Sequence, residues 1–389
     1  MRKITLGYLN ISKQGKRYVN EALNENRLSR GRFTDRFEQD FAQLHQVKHA
    51  LFCNSGTSAL QIALAALKEV YGYKDGDEVI VPATTFIATS NIVLQNNLKP
   101  VFVDVDPETY NIDPYKISKA ITDRTRCILP VHLFGLPADM YNIMIQAKSH
   151  GLQVLEDSCE TMFASQNSKS VGSFGDLACF STYVAHLIVG GVGGIVTTSN
   201  AKLYDICRSL MNHGRSTDYI TIDDDDNPAD ISDMVERRYQ FDRVGYSYRA
   251  TELEAAIALS ELENYEININ RRRKNATLLT NLLKDVNWLQ LPKIPNNMTH
   301  SFMMYPIVVK SHTKTRNDFL IYLERNGVET RYMFPLLSQP VYQKLFPREE
   351  SKHYQAEGLA ERGFFIGIHQ GLTDEDIQYV AKVIKDYQK

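Results

Sequence analysis

The chain has 389 residues, of which 43% are hydrophobic and 23% are charged, and its formal net charge is −2 at pH 7. This composition is typical of a soluble globular protein long enough for two domains. The near-neutral charge argues against a nucleic-acid partner, which would need a strongly basic surface. The first eight residues lack the apolar core of a secretory signal, and the longest apolar stretch, residues 178–196, is broken by polar residues and four glycines. We therefore expect a cytoplasmic protein without a membrane span.

The five cysteines are scattered along the chain, and no two of them form a Cys-x-x-Cys pair. An odd, scattered set argues against a disulfide framework or a zinc site. An iron–sulfur cluster needs about four thiolates gathered at one place, and no such run of ligands is present. We expect reduced thiols and no bound metal. The cysteines are Cys53, Cys127, Cys159, Cys179 and Cys207.

Short apolar runs alternate with amphipathic patterns through the first two-thirds of the chain. The runs predict strands at residues 78–81, 99–103, 126–130, 153–155, 177–180 and 194–197. The patterns between them predict helices at residues 58–71, 86–95, 113–120 and 138–150. Apolar strands that alternate with helices indicate an α/β fold, in which helices cover both faces of a mainly parallel sheet.

The character of the sequence changes after residue 219. Four consecutive aspartates, residues 223–226, predict a solvated acidic loop rather than a metal site, because adjacent carboxylates do not converge without a specific turn. Beyond them we predict helices at 249–263, 267–285, 315–326 and 374–387 and a strand at 303–309. The basic run at 271–274 is expected on an exposed helix face. We divide the chain into a large domain, residues 1–250, and a smaller α+β domain, residues 251–389.

Two segments could contribute to a ligand site at the carboxyl edge of the sheet. Residues 54–59, Asn-Ser-Gly-Thr-Ser-Ala, precede an apolar-periodic helix. Free N–H groups and the helix dipole at Gly56 and Thr57 would suit a phosphate, although such turns are more often structural. Phe86 follows a strand, where an aromatic side chain either covers a flat ligand ring or packs in the core.

Acids, a hydroxyl group and a histidine follow the next strands. Asp157 comes directly after a strand and either pairs with a protonated ring nitrogen or caps a helix. Ser181 follows another strand and could donate to a phosphate. His186 lies in an apolar segment, where most histidines are hydrogen-bonded core groups. The glycine pairs at 190–191 and 193–194, however, permit the backbone to approach a ligand closely.

Segments in the same order along nearly the whole chain resemble the DegT/StrS family of sugar aminotransferases. They are residues 28–33 (LSRGRF), 76–82 (GDEVIVP), 131–135 (VHLFG), 171–176 (VGSFGD), 180–194 (FSTYVAHLIVGGVGG), 212–215 (NHGR), 245–256 (GYSYRATELEAA), 330–331 (TR) and 335–336 (PL). The resemblance implies the fold-type-I architecture: a mainly parallel seven-stranded sheet sandwiched by helices, with a smaller C-terminal α+β domain. It also implies pyridoxal 5′-phosphate (PLP) as cofactor and a homodimer whose active sites are shared between subunits.

Carried over by position, the resemblance assigns a role to each candidate cofactor residue. These residues lie at strand ends and at the start of a helix, where the family binds its cofactor. The roles implied are Gly56, Thr57 and Ser181 with the phosphate, Phe86 stacked on the pyridine ring, Asp157 with the ring nitrogen and Glu160 near the ring hydroxyl.

Two positions depart from the family pattern. Ser247 stands where the family usually has an asparagine that reaches the phosphate of the neighbouring subunit, and Val192 stands where it usually has a glutamate. Three arginines, Arg215, Arg249 and Arg331, either meet a substrate diphosphate or form structural ion pairs.

His186 stands where most of the family has the lysine that holds PLP as a Schiff base. An imidazole cannot form that bond, because neither ring nitrogen is a primary amine, but it is a competent base near neutral pH. The branch of the family with histidine here consists of 3-dehydratases (deoxygenases) of nucleotide-linked 4-keto-6-deoxy sugars, which use noncovalently held pyridoxamine 5′-phosphate (PMP). The resemblance therefore implies a lyase of deoxysugar biosynthesis, with His186 as base, a nucleotide sugar as substrate and glutamate as amino donor.

Two other functions stay open. A conventional sugar-nucleotide aminotransferase of amino-sugar and polysaccharide biosynthesis would apply if His186 replaced a native lysine, or if another lysine such as Lys169 held the cofactor. A PLP-fold protein without catalysis is the third alternative. The retained Asp157 and Ser181 argue against it, because a site without a cofactor has no physical need for them.

Overall fold

A seven-stranded sheet forms the centre of the protein. Its strands are β1 (His49–Cys53), β2 (Glu78–Pro82), β3 (Lys99–Val103), β4 (Thr125–Ile128), β5 (Gln153–Asp157), β8 (Leu177–Ser181) and β9 (Gly194–Thr198), and a hairpin of β6 (Ser165–Gln166) and β7 (Lys169–Ser170) lies outside it. The spatial order is β1-β9-β8-β5-β4-β2-β3. Neighbours from β3 to β8 run parallel, whereas β9 is antiparallel to both of its neighbours. The predicted mainly parallel sheet is therefore confirmed.

The computed structural model describes residues 2–216, 232, 235, 239–310 and 315–387. The acidic run at 223–226 lies outside the described residues. Six of the seven strands predicted from the sequence overlap β2, β3, β4, β5, β8 and β9, whereas β1 was not predicted. Most residues of these strands are buried, as expected where helices cover both faces of a sheet.

Thirteen helices are present in the described part of the chain. They are α1 (Lys13–Asn24), α2 (Arg32–Leu44), α3 (Gly56–Tyr71), α4 (Ile87–Gln95), α5 (Pro114–Ile117), α6 (Met140–His150), α7 (Ala201–Met211), α8 (Glu252–Leu262), α9 (Tyr265–Leu283), α10 (Arg316–Arg325), α11 (Pro340–Leu345), α12 (Tyr354–Arg362) and α13 (Asp374–Asp386). Short 3₁₀ turns span Ser118–Ala120, Leu133–Gly135 and Glu350–Lys352. Helix α3 packs against β8 and β9, so its first turn begins beside the carboxyl end of β8.

A second, antiparallel sheet lies in the last third of the chain. Its strands are β10 (Leu289–Gln290), β11 (Tyr305–Val309), β12 (Thr330–Tyr332) and β13 (Gly363–Ile366), in the order β10-β11-β13-β12. Side chains from this sheet, α9, α10 and α13 form a separate apolar core that includes Tyr305, Phe319 and Phe364. Helix α8 packs against α1 and α2. The division of the chain at residue 250 stays a prediction.

The basic run at 271–274 is exposed only at Lys274, so the predicted exposed helix face was wrong for its three arginines. Arg272 is only 1% exposed, and its guanidinium donates to the carbonyl oxygen of Met303 at 2.9 Å. Arg273 is half-buried and donates to the carbonyl oxygen of His300 at 2.9 Å. A charged side chain is expected to be exposed to solvent only where the fold offers it no buried hydrogen-bond acceptor. Here the fold brings carbonyl groups from distant residues to the helix, and the arginines bond to them.

The N-terminal segment, residues 4–8, joins the second sheet to the loop after β8. Ile4 forms a parallel bridge with Val328, and the N–H of Glu329 donates to the Ile4 carbonyl oxygen at 2.9 Å. A Cβ on Gly7 would lie 3.2 Å from the carbonyl oxygen of Val184, so the segment passes close to that loop.

The described residues contain neither a membrane-spanning helix nor a cluster of metal-ligating side chains. None of the helices there is long and apolar enough to cross a bilayer. No group of three histidine, cysteine, aspartate or glutamate side chains there could hold a metal ion. All five cysteines lie in the described part of the chain and form no disulfide. A cytoplasmic location stays a prediction.

Candidate active site

A cavity of about 750 Å³ opens where the carboxyl ends of β5 and β8 meet the first turn of α3. The N-terminal segment and β12 also line it. Eight of the eleven site residues predicted from the sequence line this cavity, and we call them the cavity group. They are Gly56, Thr57, Phe86, Asp157, Glu160, Ser181, His186 and Arg331.

The first turn of α3 forms a cradle at one end of the cavity. Ser55 caps the helix by accepting the N–H of Ser58 at 3.0 Å. The N–H groups of Gly56 and Thr57, the first two residues of the helix, have no partner within the helix. Gly56 is required by space, because a Cβ there would lie 2.9 Å from the Ser181 Cβ. Thr57, the next residue, is exposed. The helix end and the two nearby hydroxyl groups, from Thr57 and Ser181, suit a phosphate.

Asp157 ends β5 with its carboxyl group facing the cavity. Its Oδ2 accepts the hydroxyl of Thr89 at 2.7 Å, and its Oδ1 accepts the N–H of Cys159 at 3.1 Å. Burial raises the pKa of Asp157, and the hydrogen bonds from Thr89 and Cys159 oppose that rise. A cationic ring nitrogen in the cavity would favour the ionised carboxylate and offset its burial.

Glu156, one residue earlier on the strand, does not line the cavity. Its Oε1 accepts the N–H groups of Phe174 at 2.8 Å and Gly175 at 2.7 Å. Its Oε2 accepts the N–H of Gly172 at 2.8 Å and lies 3.0 Å from His132 Nε2. Adjacent strand residues point to opposite faces, so this acid fixes the loop at residues 171–176 instead of meeting a ligand.

Glu160 is buried beside the cavity and accepts the N–H of Phe134 at 2.9 Å through its Oε2. Burial and, to a smaller extent, the nearby carboxylate of Asp157 raise the pKa of Glu160 to about 8, and the hydrogen bond from Phe134 opposes that rise. At neutral pH this carboxyl group is therefore largely protonated. It can donate a hydrogen bond to an oxygen anion in the cavity.

The loop that carries His186 is closed at its base by Thr182. The Thr182 N–H donates to the Gly193 carbonyl oxygen at 3.0 Å, and its carbonyl oxygen accepts the Gly190 N–H at 2.9 Å. Its hydroxyl donates to the Val192 carbonyl oxygen at 3.0 Å. Gly193 has φ +131°, a conformation that favours glycine. The loop therefore needs glycine at residue 193, because of this backbone conformation and the close approach of Thr182.

Inside this loop, the His186 imidazole is half-buried and faces the cavity. Its ring centroid lies 6.1 Å from that of Tyr183 in an edge-to-face arrangement. Burial and, to a smaller extent, the positive charge of Arg272 lower the pKa of His186 to about 4. The Nδ1 atom is shielded and has no hydrogen-bond partner among the described residues. The imidazole is therefore neutral at pH 7, with Nε2 as the nitrogen available for proton exchange.

Phe86 lies in the cavity and not in the core. It immediately precedes α4, and 55% of the residue is exposed. The Phe334 ring meets it edge-on, with the two centroids 6.2 Å apart. Of the two alternatives for Phe86, covering a flat ligand agrees with this position and packing in the core does not.

No lysine is present among the described residues that line the cavity. Their basic side chains are His186 and Arg331. Lys169, the lysine considered as a replacement, lies on β7 with its ammonium group 4.7 Å from the centroid of the Phe174 ring. It is not part of the cavity wall.

Three predicted site residues lie outside the cavity, and we call them the peripheral group: Arg215, Ser247 and Arg249. Arg215 packs against the Phe241 ring, with its guanidinium carbon 5.3 Å from the centroid. Arg249 donates to Ser247 Oγ at 3.2 Å and lies at the same distance from His213 Nε2. Their roles toward a ligand stay predictions.

Sequence reasoning missed several residues around the cavity. Thr89 holds Asp157 and lies one helical turn beyond Phe86, a spacing that could have indicated it. Glu329 precedes Arg331 by two residues, and strand alternation would place both on one face. The N-terminal segment contributes to the wall without any local signal, because its partners lie far along the sequence.

Comparison with known proteins agrees with this architecture. The model of the DegT/DnrJ/EryC1/StrS aminotransferase family matches residues 10–385. The chain is 33% identical over 390 residues to the GDP-perosamine synthase of Escherichia coli O157:H7, covering 100% of this chain and 99% of that protein. It is 32% identical over 388 residues to the dTDP-4-dehydro-2,6-dideoxy-D-glucose 3-dehydratase of Saccharopolyspora spinosa, covering 94% and 82%.

A solved structure extends the comparison to three dimensions. The E. coli GDP-4-keto-6-deoxy-D-mannose-3-dehydratase with bound hydrated PLP matches with a TM-score of 0.90 at 28% identity. The match covers 99% of this chain and 100% of that chain. The fold is therefore that of the fold-type-I enzymes, whereas the names of these relatives include both a synthase and dehydratases.

Proposed function

The chain belongs to the DegT/DnrJ/EryC1/StrS aminotransferase family, and on that premise we propose that it is a 3-dehydratase of a nucleotide-linked 4-keto-6-deoxy sugar. The observation that carries the proposal is His186 in a cavity to which the described chain contributes no lysine. A histidine can move a proton but cannot hold PLP covalently. The likeness to a solved 3-dehydratase supports the same reaction.

PLP, or its amine form PMP, is the cofactor of this enzyme, and the described residues fit it. Gly56 keeps the cradle free of a Cβ, so a phosphate could approach the first turn of α3 beside Thr57 and Ser181. Asp157 offers a buried carboxylate for a pyridinium nitrogen. Phe86 presents an exposed ring to the same space.

Bound PMP would supply an amine for the sugar ketone and a ring that accepts electrons while the hydroxyl on sugar carbon 3 departs. His186 would take and return a proton at Nε2, because its Nδ1 is shielded. The low pKa keeps the imidazole in its basic form at neutral pH. Such positioned proton transfer is worth roughly 10²–10⁴-fold in rate. Glu160, protonated at neutral pH, would donate a hydrogen bond to the ring oxygen.

The substrates and the assembly follow from the same proposal. Arg331 would bind an anionic group in the cavity, and glutamate would regenerate PMP as the amino donor. The protein would act as a homodimer in which Arg215, Ser247 and Arg249 serve the cavity of the neighbouring subunit. Their position outside the cavity of their own chain supports this arrangement.

A sugar-nucleotide aminotransferase is the second candidate, because the chain is 33% identical to a GDP-perosamine synthase. That reaction normally uses a lysine both to hold the cofactor and to return the proton. Here it would require an amine from outside the described cavity wall, or proton return by His186 to sugar carbon 4.

The test incubates the full-length protein with PLP and L-glutamate and follows its absorbance before and after borohydride reduction. We expect conversion to a PMP-like band at ~330 nm and no reduced adduct in the intact mass. The loaded enzyme should then release water from a 4-keto-6-deoxy sugar nucleotide, as read by mass spectrometry. A reduced adduct on a lysine, with an amino sugar as product, would establish the aminotransferase. Absence of cofactor binding would favour a non-catalytic protein.

A further inference from the structure

Glu329 and Arg331 form a charged pair in the cavity wall. They flank Thr330, the first residue of β12, and both line the cavity. Side chains two residues apart in extended backbone point to the same face, which brings the two charged groups together. The Glu329 Oε1 lies 2.7 Å from the Arg331 Nη2.

The two members of the pair are held differently. The Glu329 Oε2 accepts the N–H of Leu6 at 3.0 Å, so the N-terminal segment fixes the acid in place. Arg331 makes a further hydrogen bond to the carbonyl oxygen of Thr330 at 2.7 Å. The Arg331 side chain is 56% exposed, against 28% for Glu329. The arginine is therefore the member that can exchange its partner.

Arg331 is the sole guanidinium or ammonium group among the described residues that line the cavity. Both substrates of the proposed reaction are anions, since a nucleotide sugar carries a diphosphate and glutamate carries carboxylates. A guanidinium binds either group best through two parallel hydrogen bonds. It cannot offer its whole fork while Nη2 is bonded to Glu329. An ion pair this exposed contributes little to stability, so an incoming anion can replace it.

We propose that Glu329 is a built-in competitor for the anion site of Arg331, occupying the guanidinium until an anionic group of a substrate displaces it. The inference rests on the proposed function only in taking Arg331 to face an anionic substrate. Competition of this kind weakens the binding of each anion and speeds its release. Fast release suits a cavity that must accept an amino donor and a sugar nucleotide in turn.

The experiment compares the PLP-loaded wild type with Glu329→Gln by titration calorimetry. Glutamine keeps an acceptor for the Leu6 N–H but removes the charge. The probes are glutarate, a dicarboxylate without an amine, and GDP, a diphosphate without a sugar. We expect Kd to fall by roughly 3–10-fold for the probe whose anion uses Arg331, which identifies the source of that anion. Glu108→Gln, which removes a carboxylate paired with Lys293 outside the cavity, should leave both Kd values unchanged.

A second variant, Glu329→Asp, keeps the charge and should bind both probes within about twofold of the wild type. Equal or weaker binding of both probes by Glu329→Gln would overturn the proposal, because it would mean that the acid only positions the arginine. Absence of probe binding by every protein would overturn it too. Binding needs no turnover, so the two proposals fail separately. If the protein dehydrates no sugar but the Glu329→Gln variant binds a probe more tightly than the wild type, the proposed function is wrong and this inference still holds.

Discussion

The cavity group and the peripheral group differ in how their side chains are held. Asp157 and Ser181 end adjacent strands and Gly56 begins the helix packed on them, so the core of one chain fixes their positions. Arg249 and Ser247 instead bond to each other between α7 and α8, away from the cavity. One chain thus builds this part of the cavity by itself. If the peripheral arginines bind a ligand, they bind it outside this cavity.

The largest effect is expected within the cavity group, at His186. The change His186→Asn should lower the rate of sugar dehydration by roughly 10²–10⁴-fold, because no described cavity side chain can replace the base. PLP affinity should stay within about threefold, since the phosphate and ring contacts remain. Stopped-flow turnover and a cofactor titration measure the two quantities. His150→Asn, at the exposed end of α6, is the control, and near-normal turnover by His186→Asn would contradict the proposed role.

Mixing two variant subunits can test whether Arg249 of the peripheral group serves the neighbouring subunit. Arg249→Ala should lower activity strongly if this arginine serves the neighbouring subunit. Mixing and refolding it with His186→Asn should restore about a quarter of wild-type activity, because half of the dimers are mixed and each has one intact site. Each variant refolded alone is the control. If the mixture stays as inactive as its components, the arginine acts in its own chain or serves only the fold.

Neighbouring acids on β5 provide a sharper contrast. Asp157→Asn should weaken PLP binding by roughly 10–100-fold, through loss of charge beside the ring nitrogen, with little change in unfolding temperature. Glu156→Gln should leave PLP binding nearly unchanged but lower the stability of the fold. It places an amide against three backbone N–H donors, at a cost of about 2–4 kcal/mol in the free energy of unfolding. Equal loss of cofactor affinity in both variants would show that the two faces of β5 are not functionally distinct.

The two ends of α3 test the cradle. Gly56→Ala should weaken PLP binding and lower the free energy of unfolding by about 1–3 kcal/mol, because the new Cβ has no space beside Ser181. Gly72→Ala at the other end meets no atom within 4 Å but retains φ +69°. It should cost about 1 kcal/mol of stability without altering PLP affinity. Urea unfolding measures the stability of each variant, and a PLP titration measures its affinity for the cofactor. Equal PLP affinities of the Gly56→Ala and Gly72→Ala variants would argue against phosphate binding at the first turn of α3.

The smallest effect concerns the protonation of His186. Its pKa in the folded protein is about 4, below the ordinary value, so the folded state binds fewer protons than the unfolded chain between these two values. The stability that the neutral ring contributes is present above about pH 6.5 and is lost as the pH falls toward 4. The difference in urea stability between wild type and His186→Asn should therefore shrink over that range. A difference that grows on acidification would contradict the lowered pKa.

Local patterns were enough to predict the part of the site that lies on the large sheet. Apolar runs located six of the seven strands. Polar residues that follow parallel strands, such as Asp157 and Ser181, necessarily share the carboxyl edge of the sheet. Phe86 was undecided, because a position after a strand does not say whether a ring faces ligand or core.

Features that depend on distant contacts were not predictable. The burial of Arg272 requires carbonyl groups from residues 302 and 303, which no helical pattern reveals. Strand β12 is three residues long, too short to give an alternation, so Glu329 was overlooked beside Arg331. The residues of the peripheral group matched a family pattern, but nothing in the sequence indicated that they would lie outside the cavity.

The bond from the Leu6 N–H to Glu329 joins residues 323 positions apart. During synthesis the first of these residues leaves the ribosome long before the second exists, so this wall of the cavity cannot close until most of the chain has been translated. Closing so long a loop carries an entropic cost that local helices and the parallel strands avoid. The large sheet can therefore assemble while the chain is still growing. The cavity wall that contains Glu329 and Arg331 must be among the last parts of the protein to form.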